Sequence, residues 1–439
     1  MKIVHITAGA GGRLCGSCLH DNTLVRALRK RGRDAILVPA YVPTTTDEEN
    51  IAEPLVVMGG INVFLQQAVP FFRHTPRWLD RLLDHPRLLR WLSRRTGQTR
   101  PADLGPLTVS SLQGEQGNQH KEVNRLADWL AEVIRPDVVH LSNALLLGVA
   151  RRIRDRSGAA IVASLSGEDL FIEQLPSPHR ETVWQLLVER AADVDRFVAL
   201  NQAYAEQMAS RMSCPRERVT VIPHGIEPSG FPEAVPDLLR RRAGRGGRCT
   251  IGFLARACRE KGLDQAIQAV AHLVRQGRDV ELLAAGAMVP AEAAYLEECR
   301  TLVRELGLKD RFRWLGQVDR DGKRQLFGQV DLFVMPTPVP EAKGIPVIEA
   351  MAAGLPVVAP RAGAFPELLG ADSPRPAGLL HAAADPVDLA RALAELLDDA
   401  DRLVACSVAA FGRAREQHTA DKMAAAHEQL YAEVRLQAK

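Results

Sequence analysis

Aromatic residues are scarce in this 439-residue chain, and its positive and negative charges nearly balance. Phe, Trp and Tyr make up 5% of it, and the net charge is only +3 with a pI near 8.5. A charge this small gives no electrostatic reason to expect a nucleic-acid partner. No run of apolar residues resembles a signal peptide or a membrane span, since a short strand pattern at residues 2–7 leads directly into glycines. We therefore expect a cytoplasmic protein that does not bind nucleic acid.

Cysteines are few and scattered. There are seven, an odd number in a large chain, which argues against a secreted disulfide framework. Cys15 and Cys18 stand in a C-x-x-C spacing and leave three alternatives open. They could bind zinc with His20 as a third ligand, cycle as a redox dithiol, or simply pack and shape a loop. No second C-x-x-C pair follows to complete a structural zinc site.

The apolar residues, 46% of the chain, suffice for the cores of two or three domains. Short apolar runs alternate with amphipathic stretches, which predicts doubly wound α/β domains. The glycines after the first strand lack the ordered G-x-G-x-x-G and downstream carboxylate of a dinucleotide dehydrogenase, so we exclude that class. Predicted strands lie at residues 2–7, 35–39, 55–58, 138–142, 161–165, 197–200, 219–222, 250–254, 281–285, 312–315, 332–335, 357–359 and 378–380.

Segments rich in Pro, Gly and Arg interrupt this alternation near the middle of the chain, at residues 223–232 and 240–248. Such composition is typical of a linker between domains. We predict a first domain at residues 1–235, a second at 236–415 and a C-terminal helical segment at 416–439.

The most informative segment is residues 340–354, in which two carboxylates, Glu341 and Glu349, flank a loop and the start of a helix. The helix is predicted to begin near Ile345, with Pro346 in its first turn and Gly354 at its end. A strand, a glycine loop and a helix N-terminus together make an anion site, because backbone N–H groups and the helix dipole face the ligand. In the alternative interpretation, Glu341 is a solvent-exposed loop residue and Glu349 only complements the helix dipole.

A second segment, residues 250–262, combines an apolar strand with Arg256 and Lys261 at its carboxyl end. Ligands of open α/β sheets bind at this end of the strands. Two fixed cations there would stabilise the negative charge that develops on a departing diphosphate. Taken alone, the segment could equally be a solvated basic turn.

These two segments resemble the donor-site motifs of family 4 glycosyltransferases. The family consists of retaining enzymes with the GT-B fold, an α/β fold of two facing Rossmann-like doubly wound domains with a cleft between them. The resemblance implies that Glu341 lies beside the donor sugar and that Glu349 binds the ribose hydroxyls. It further implies that Arg256 and Lys261 hold the pyrophosphate, and that the backbone at Gly344, Ile345 and Pro346 cradles it. Ala255 replaces the glycine that usually precedes the arginine.

The first domain resembles the family less closely. Gly11 and Gly12 match the glycine loop that follows the first strand and approaches the donor phosphate and the acceptor. Ser166 stands where family members commonly have a histidine near the reacting carbon. The resemblance suggests sugar or acceptor contacts by Ser166, Glu168, Asp169 and His140. The alternatives are that Asp169 caps a helix and that His140 is a structural residue of a buried strand.

The resemblance implies a retaining, metal-independent glycosyltransferase. Residues 1–235 would bind the acceptor, and residues 236–415 a nucleoside-diphosphate sugar. No cofactor or essential metal is expected, because Arg256 and Lys261 would supply the positive charge that Mg²⁺ supplies elsewhere. Two Asp-x-Asp triplets, at residues 193–195 and 319–321, lie at predicted helix ends and are interpreted as helix-terminal residues. The competing functions are a catalytically silent nucleotide-sugar-binding module and a redox or metal protein that acts through Cys15 and Cys18.

A basic amphipathic stretch at residues 71–96 interleaves seven arginines with Trp and Leu. It could lie on an anionic membrane and bring a lipid-linked acceptor close, which would make the protein membrane-peripheral. The alternative is a helix pair packed on its own domain. The sequence identifies neither the acceptor nor the sugar.

Overall fold

The computed structural model describes residues 1–9, 15–74, 103–244 and 246–437. They form two compact units. The first comprises Met1–Gly225 together with Ala420–Lys439, and the second comprises Ile226–Thr419. The predicted boundaries at residues 235 and 415 lie near these divisions without coinciding with them.

A six-stranded parallel sheet forms the centre of the first unit. Its strand order is β2-β1-β3-β4-β5-β6, so β2 lies on one side of β1 and the strands β3 to β6 follow on the other side. The middle strands β3 and β4 are buried along their whole length, which explains their continuous apolar sequences. The strands are β1 Lys2–Thr7, β2 Asp34–Pro39, β3 Val138–Leu141, β4 Ala160–Leu165, β5 Arg196–Ala199 and β6 Val219–Val221.

Helices of this unit bury an apolar stripe against the sheet, as Leu24 and Leu28 of α1 illustrate. The C-terminal helix, Ala420–Gln437, belongs to the same unit. Tyr431 of this helix packs in the same core cluster as the side chains of α1. Arg31 forms ion pairs with two acidic side chains of the C-terminal helix. The other helices are α1 Gly16–Lys30, α2 Gly60–Ala68, α3 Gly105–Gln113, α4 His120–Trp129, α5 Ala150–Ser157, α6 Asp169–Glu173, α7 His179–Arg190 and α8 Gln202–Arg211.

The second unit repeats this plan. Its parallel sheet has the order β12-β11-β10-β7-β8-β9, with the change of direction between β7 and β10. The strands are β7 Cys249–Leu254, β8 Val280–Ala285, β9 Phe312–Trp314, β10 Leu332–Val334, β11 Val357–Pro360 and β12 Gly378–His381. The helices are α9 Leu238–Ala243, α10 Leu263–Arg275, α11 Ala293–Glu305, α12 Arg320–Gln329, α13 Ile345–Ala352, α14 Phe365–Leu369, α15 Pro386–Asp398 and α16 Ala400–Gln417.

The doubly wound α/β class predicted from the sequence is confirmed in both units. One predicted strand, residues 55–58, is wrong. Val57 donates a hydrogen bond of 3.1 Å to the carbonyl oxygen of Pro39, the last residue of β2, and Met58 one of 2.8 Å to that of Ala40, without forming a strand. Both side chains are buried, so the apolar run there indicates burial and not a sheet position. Within the described residues, no helix has both the length and the apolar character needed to span a bilayer.

Five buried histidines gather in the first unit, and we call them the histidine cluster: His5, His20, His140, His224 and His427. The Nδ1 atoms of His20 and His224 lie 2.7 Å apart, and the rings of His5 and His140 are 4.5 Å apart between centroids. Asp21 lies 3.0 Å from the Nε2 atom of His5. Adding protons to this cluster would place several positive charges in a space that excludes water.

Acid should therefore destabilise the first unit. Burial lowers the pKa of His427 to about 4, and burial together with neighbouring histidines lowers the pKa of His20 and His140. In the unfolded chain these side chains bind protons near pH 6.5, so between that pH and pH 4 the unfolded state holds more protons. We expect the free energy of unfolding to have its full value above about pH 6.5. Below this pH it should fall by roughly 1.4 kcal/mol per pH unit for each of these histidines.

Calorimetric melting from pH 7.5 to 4.5 measures this loss. His427→Gln should reduce its steepness, whereas His120→Gln, which changes a histidine outside the histidine cluster, should not. A melting temperature that stays constant over this range would contradict the expectation.

Candidate functional site

The two sequence motifs meet at the carboxyl edge of the second sheet. Arg256 and Lys261 follow β7, and Glu341 and Gly344 follow β10, the strand hydrogen-bonded to it. The sheet changes its direction of growth between these two strands. Loops that leave such a point turn to opposite faces of the sheet and leave a crevice in which α/β proteins bind ligands.

Lys261 and Glu341 form an ion pair, although 80 residues separate them in the sequence. Their side chains are only 27% and 16% exposed, so water screens the pair weakly. Burial by itself would raise the pKa of Glu341, but the Lys261 ammonium outweighs burial and lowers it. Glu341 is therefore ionised at neutral pH and holds the ammonium that faces it.

Two glycines allow the chain segments of the site to approach closely. Gly262 has a φ of +72°, and a Cβ there would lie 2.2 Å from the carbonyl oxygen of Pro336, just beyond β10. A Cβ at Gly363 would lie 2.4 Å from the carbonyl oxygen of Glu341, to which Ala364 donates a hydrogen bond of 2.8 Å. Larger residues at either position would push the loops apart.

Helix α13 begins as the sequence predicted. Gly344 is its N-cap residue with a φ of +63°, Ile345 is the first helical residue, and Pro346 lies in the first turn. No side chain caps this turn and no acidic residue lies in it. The positive end of the helix dipole therefore faces the loop that carries Glu341 and Lys343, an arrangement suited to a phosphate.

Glu349, four residues after Ile345 in α13, pairs with a lysine that the sequence motifs did not indicate. The Nζ atom of Lys323, on α12, lies 2.8 Å from its Oε1 atom. The two side chains are 15% and 11% exposed. Lys323 belongs to neither motif, and no sequence signal marks it, because only the folded chain brings it to Glu349.

Arg256 also has a partner outside the motifs. Its Nε atom lies 3.3 Å from Oε1 of Glu292, and one of its terminal nitrogens lies 3.6 Å from the Cys258 sulfur. Burial alone would lower the pKa of Arg256, but Cys258 and Glu292 raise it. The guanidinium thus remains a fixed positive charge, 40% exposed, that a ligand can reach.

Gly11 and Gly12 lie outside the described residues. The other candidates in the first unit have internal partners. The Oε1 and Oε2 atoms of Glu168 accept hydrogen bonds from the backbone of Ala144 and Ser166, at 3.1 and 2.6 Å. Asp169 accepts hydrogen bonds from Tyr204 and Gln207, at 2.7 and 2.8 Å. Asp169 is the first residue of α6, so the alternative of a capping Asp169 is wrong.

His140 is a member of the histidine cluster. Its Nδ1 atom lies 2.6 Å from the Tyr431 hydroxyl and its Nε2 atom 2.8 Å from the Ser164 hydroxyl. Both ring nitrogens are therefore engaged inside the protein. The geometry favours the structural interpretation of His140 over a contact with sugar or acceptor.

The Cys15 and Cys18 thiols lie at the start of α1. A hydrogen bond with Cys15, reinforced by burial, raises the pKa of Cys18, which opposes the thiolate form that metal binding and thiol exchange require. His20, the proposed third zinc ligand, instead faces His224. Over the described ranges, no group of three His, Cys, Asp or Glu side chains has the geometry of a metal site. These contacts support packing as the role of the pair.

Changing both cysteines should therefore leave binding of nucleoside diphosphates nearly unaltered. We expect the Cys15→Ser, Cys18→Ser double variant to change stability or acceptor use, with diphosphate affinity within about twofold of the original protein. Calorimetric titration and metal analysis check this. Stoichiometric zinc in the purified protein, or lost diphosphate affinity in the variant, would refute it.

The Asp-x-Asp triplets are structural in this fold. Asp319 caps α12 by accepting a hydrogen bond of 2.8 Å from Gly322. Asp193 pairs with Arg151 at 3.1 Å, and Asp195 accepts a hydrogen bond of 2.6 Å from the backbone of Ile161. The helix-end interpretation of the second triplet is thus confirmed.

Comparisons with known proteins agree with this picture. The family model described as "Glycosyl transferases group 1" matches residues 238–413, and the one described as "Glycosyltransferase Family 4" matches residues 105–229. Anabaena HepE, whose crystal structure is a complex with UDP, superposes with a TM-score of 0.69 at 19% identity, covering 99% of this chain and 100% of that chain. This likeness shows the GT-B fold.

Two curated relatives align over part of their length. A 2-deoxystreptamine glucosyltransferase from Streptomyces kanamyceticus is 30% identical over 233 residues, which are 52% of this chain and 57% of that protein. A GDP-mannose-dependent phosphatidylinositol monomannoside mannosyltransferase from Mycobacterium tuberculosis is 28% identical over 270 residues, 60% of this chain and 66% of that protein. This chain thus matches less than two thirds of the length of either relative.

Proposed function

The chain belongs to family 4 of the glycosyltransferases, and from that premise we propose that it transfers a sugar from a nucleoside-diphosphate sugar to an acceptor, with retention of the anomeric configuration. The observation that carries the proposal is the joining of both donor motifs at one edge of the second sheet. There Lys261 contacts Glu341, which lies in the loop that leads into the positive end of α13.

Each group has a defined task in this proposal. The diphosphate lies against the first turn of α13 at Gly344 and Ile345, with Arg256 and Lys261 on its oxygens. Its negative charge rises as the bond to the sugar breaks, and cations that are already in place stabilise this charge without a reorganisation cost. They therefore take the role that a divalent metal has elsewhere.

Donor binding also changes the partners of Glu341. In the structure its carboxylate holds the Lys261 ammonium. A diphosphate competes for this ammonium, since charge-assisted hydrogen bonds to phosphate are strong. Once Lys261 turns to the diphosphate, the carboxylate of Glu341 is released to contact the sugar. Glu349, inside α13, contacts the ribose hydroxyls.

A thermal-shift screen with UDP, GDP and ADP tests whether the protein binds a nucleoside diphosphate. A bound diphosphate raises the melting temperature in proportion to the logarithm of its concentration over its Kd. Failure of all three to stabilise the protein would remove the support for a nucleotide-sugar donor. Turnover of the donor distinguishes an enzyme from a silent binding module.

The new glycosidic linkage should have the same anomeric configuration as the donor. The NMR coupling constant of the anomeric proton in the product measures this directly. An inverted linkage would exclude the retaining mechanism that family membership implies.

A lipid-linked acceptor is the class to test first. Its support is the basic amphipathic stretch at residues 71–96 and the lipid acceptor in the name of the Mycobacterium tuberculosis relative. Residues 75–96 of this stretch lie outside the described residues. Co-sedimentation with phosphatidylglycerol vesicles at low and high salt tests it, because attraction to an anionic surface weakens as salt screens the charge. Absence of binding at low salt would favour a soluble acceptor.

A further inference from the structure

The ion pair between Lys323 and Glu349 has no assigned role. It is more deeply buried than the Lys261–Glu341 pair, with both side chains at most 15% exposed and a distance of 2.8 Å. Ion pairs buried this deeply add little to stability on balance, because the cost of removing two charges from water offsets their attraction. A functional role of one of the two charges therefore explains this ion pair better than a contribution to stability does.

Hydrogen bonds from residues on either side of Lys323 hold its helix, α12, in place. Arg320 donates hydrogen bonds to the carbonyl oxygens of Glu227 and Ser229, at 3.2 and 3.1 Å, and Arg324 donates one to Ser229 at 2.9 Å. Asp319 caps the first turn. The backbone of α12 is thus fixed at two points around Lys323. Its ammonium reaches Glu349 from a defined direction.

We propose that Lys323 is a positioning residue of the nucleotide site, which holds the Glu349 carboxylate in the orientation that the ribose hydroxyls require. The proposal rests on the proposed function, since it presumes that Glu349 contacts ribose. Lys323 occupies Oε1 of the carboxylate from α12, and this fixes the direction in which Oε2 points.

The physical reason for this proposal is that, without Lys323, the Glu349 carboxylate would lose the ammonium that holds it in one state and orientation. A carboxylate in a space this poor in water either takes up a proton or turns toward another donor when its cation is removed. In both cases it stops accepting hydrogen bonds from two ribose hydroxyls. The phosphate part of the ligand, bound by Arg256, Lys261 and the start of α13, would not sense the change.

The experiment compares a ribonucleoside diphosphate with its 2′,3′-dideoxy analogue by calorimetric titration. The base is uracil, guanine or adenine, whichever gives binding to the original protein. We expect Lys323→Met to weaken the ribonucleotide about tenfold and the dideoxy analogue less than about twofold. Lys323→Arg should recover most of the ribonucleotide affinity. Lys309→Met, the same change at an exposed site of the same unit, is the matched control.

A double-mutant cycle completes the test. If Lys323 acts through Glu349, Lys323→Met should change ribonucleotide affinity less than about twofold in a Glu349→Gln background. Equal weakening of the ribonucleotide and the dideoxy analogue, or no weakening at all, would overturn the proposal, as would a full tenfold effect without Glu349. Failure of the original protein to bind UDP, GDP or ADP is a separate result that overturns the proposed function itself.

Discussion

Glu341→Gln is expected to reduce glycosyl transfer by about a hundredfold or more, a loss typical of removing a charge beside the reacting centre. Binding of the bare nucleoside diphosphate should remain unchanged or become tighter. The reason is that Glu341 and the diphosphate compete for Lys261, and the neutral amide holds this ammonium less strongly than the carboxylate does. The change therefore separates catalysis from binding.

Steady-state kinetics with the donor, together with titration of the free diphosphate, measure the two effects. Glu305→Gln is a matched control, because Glu305 is exposed on α11 of the same unit. Turnover that survives in Glu341→Gln would reduce Glu341 to the loop residue of the alternative interpretation. A parallel loss of diphosphate affinity would point to a disturbed loop.

Arg256→Ala and Lys261→Ala should each weaken binding of the nucleoside diphosphate about tenfold or more. A charge-assisted hydrogen bond contributes about 1.5 to 3 kcal/mol, and about 1.4 kcal/mol corresponds to one decade of affinity. The larger loss is expected for Lys261, because its removal leaves the ionised Glu341 facing the phosphates. Arg256 is 40% exposed, so solvent screens its contribution more.

The uncharged nucleoside distinguishes the three positions. Its binding should barely change in Arg256→Ala and Lys261→Ala, whereas Glu349→Ala should weaken nucleoside and diphosphate by similar factors, because both share the ribose hydroxyls. Arg259→Ala is the matched control, since Arg259 lies in the same segment but is 68% exposed. If the Arg256 and Lys261 variants bind the diphosphate as well as the original protein does, the proposed donor site is wrong.

The fold class and the elements that carry the candidate site were predictable because their signals are local. Fully buried parallel strands appear as short apolar runs, and α13 is marked by Gly344, Pro346 and Gly354. Topology then brings the two motifs together, because parallel strands present their carboxyl ends at the same edge. The run at residues 55–58 failed as a strand since burial alone produces the same apolar pattern.

What the sequence alone determined is thus the α/β plan, the family resemblance and the side chains that follow β7 and β10. Only the tertiary structure decided their partners. Glu292 beside Arg256, Lys323 beside Glu349 and the histidine cluster each join residues from separate elements. Such contacts depend on how elements pack and which side chains lose water together, and neither periodicity nor spacing along the chain records that. The basic partners of Glu292 and Glu349 follow from this packing.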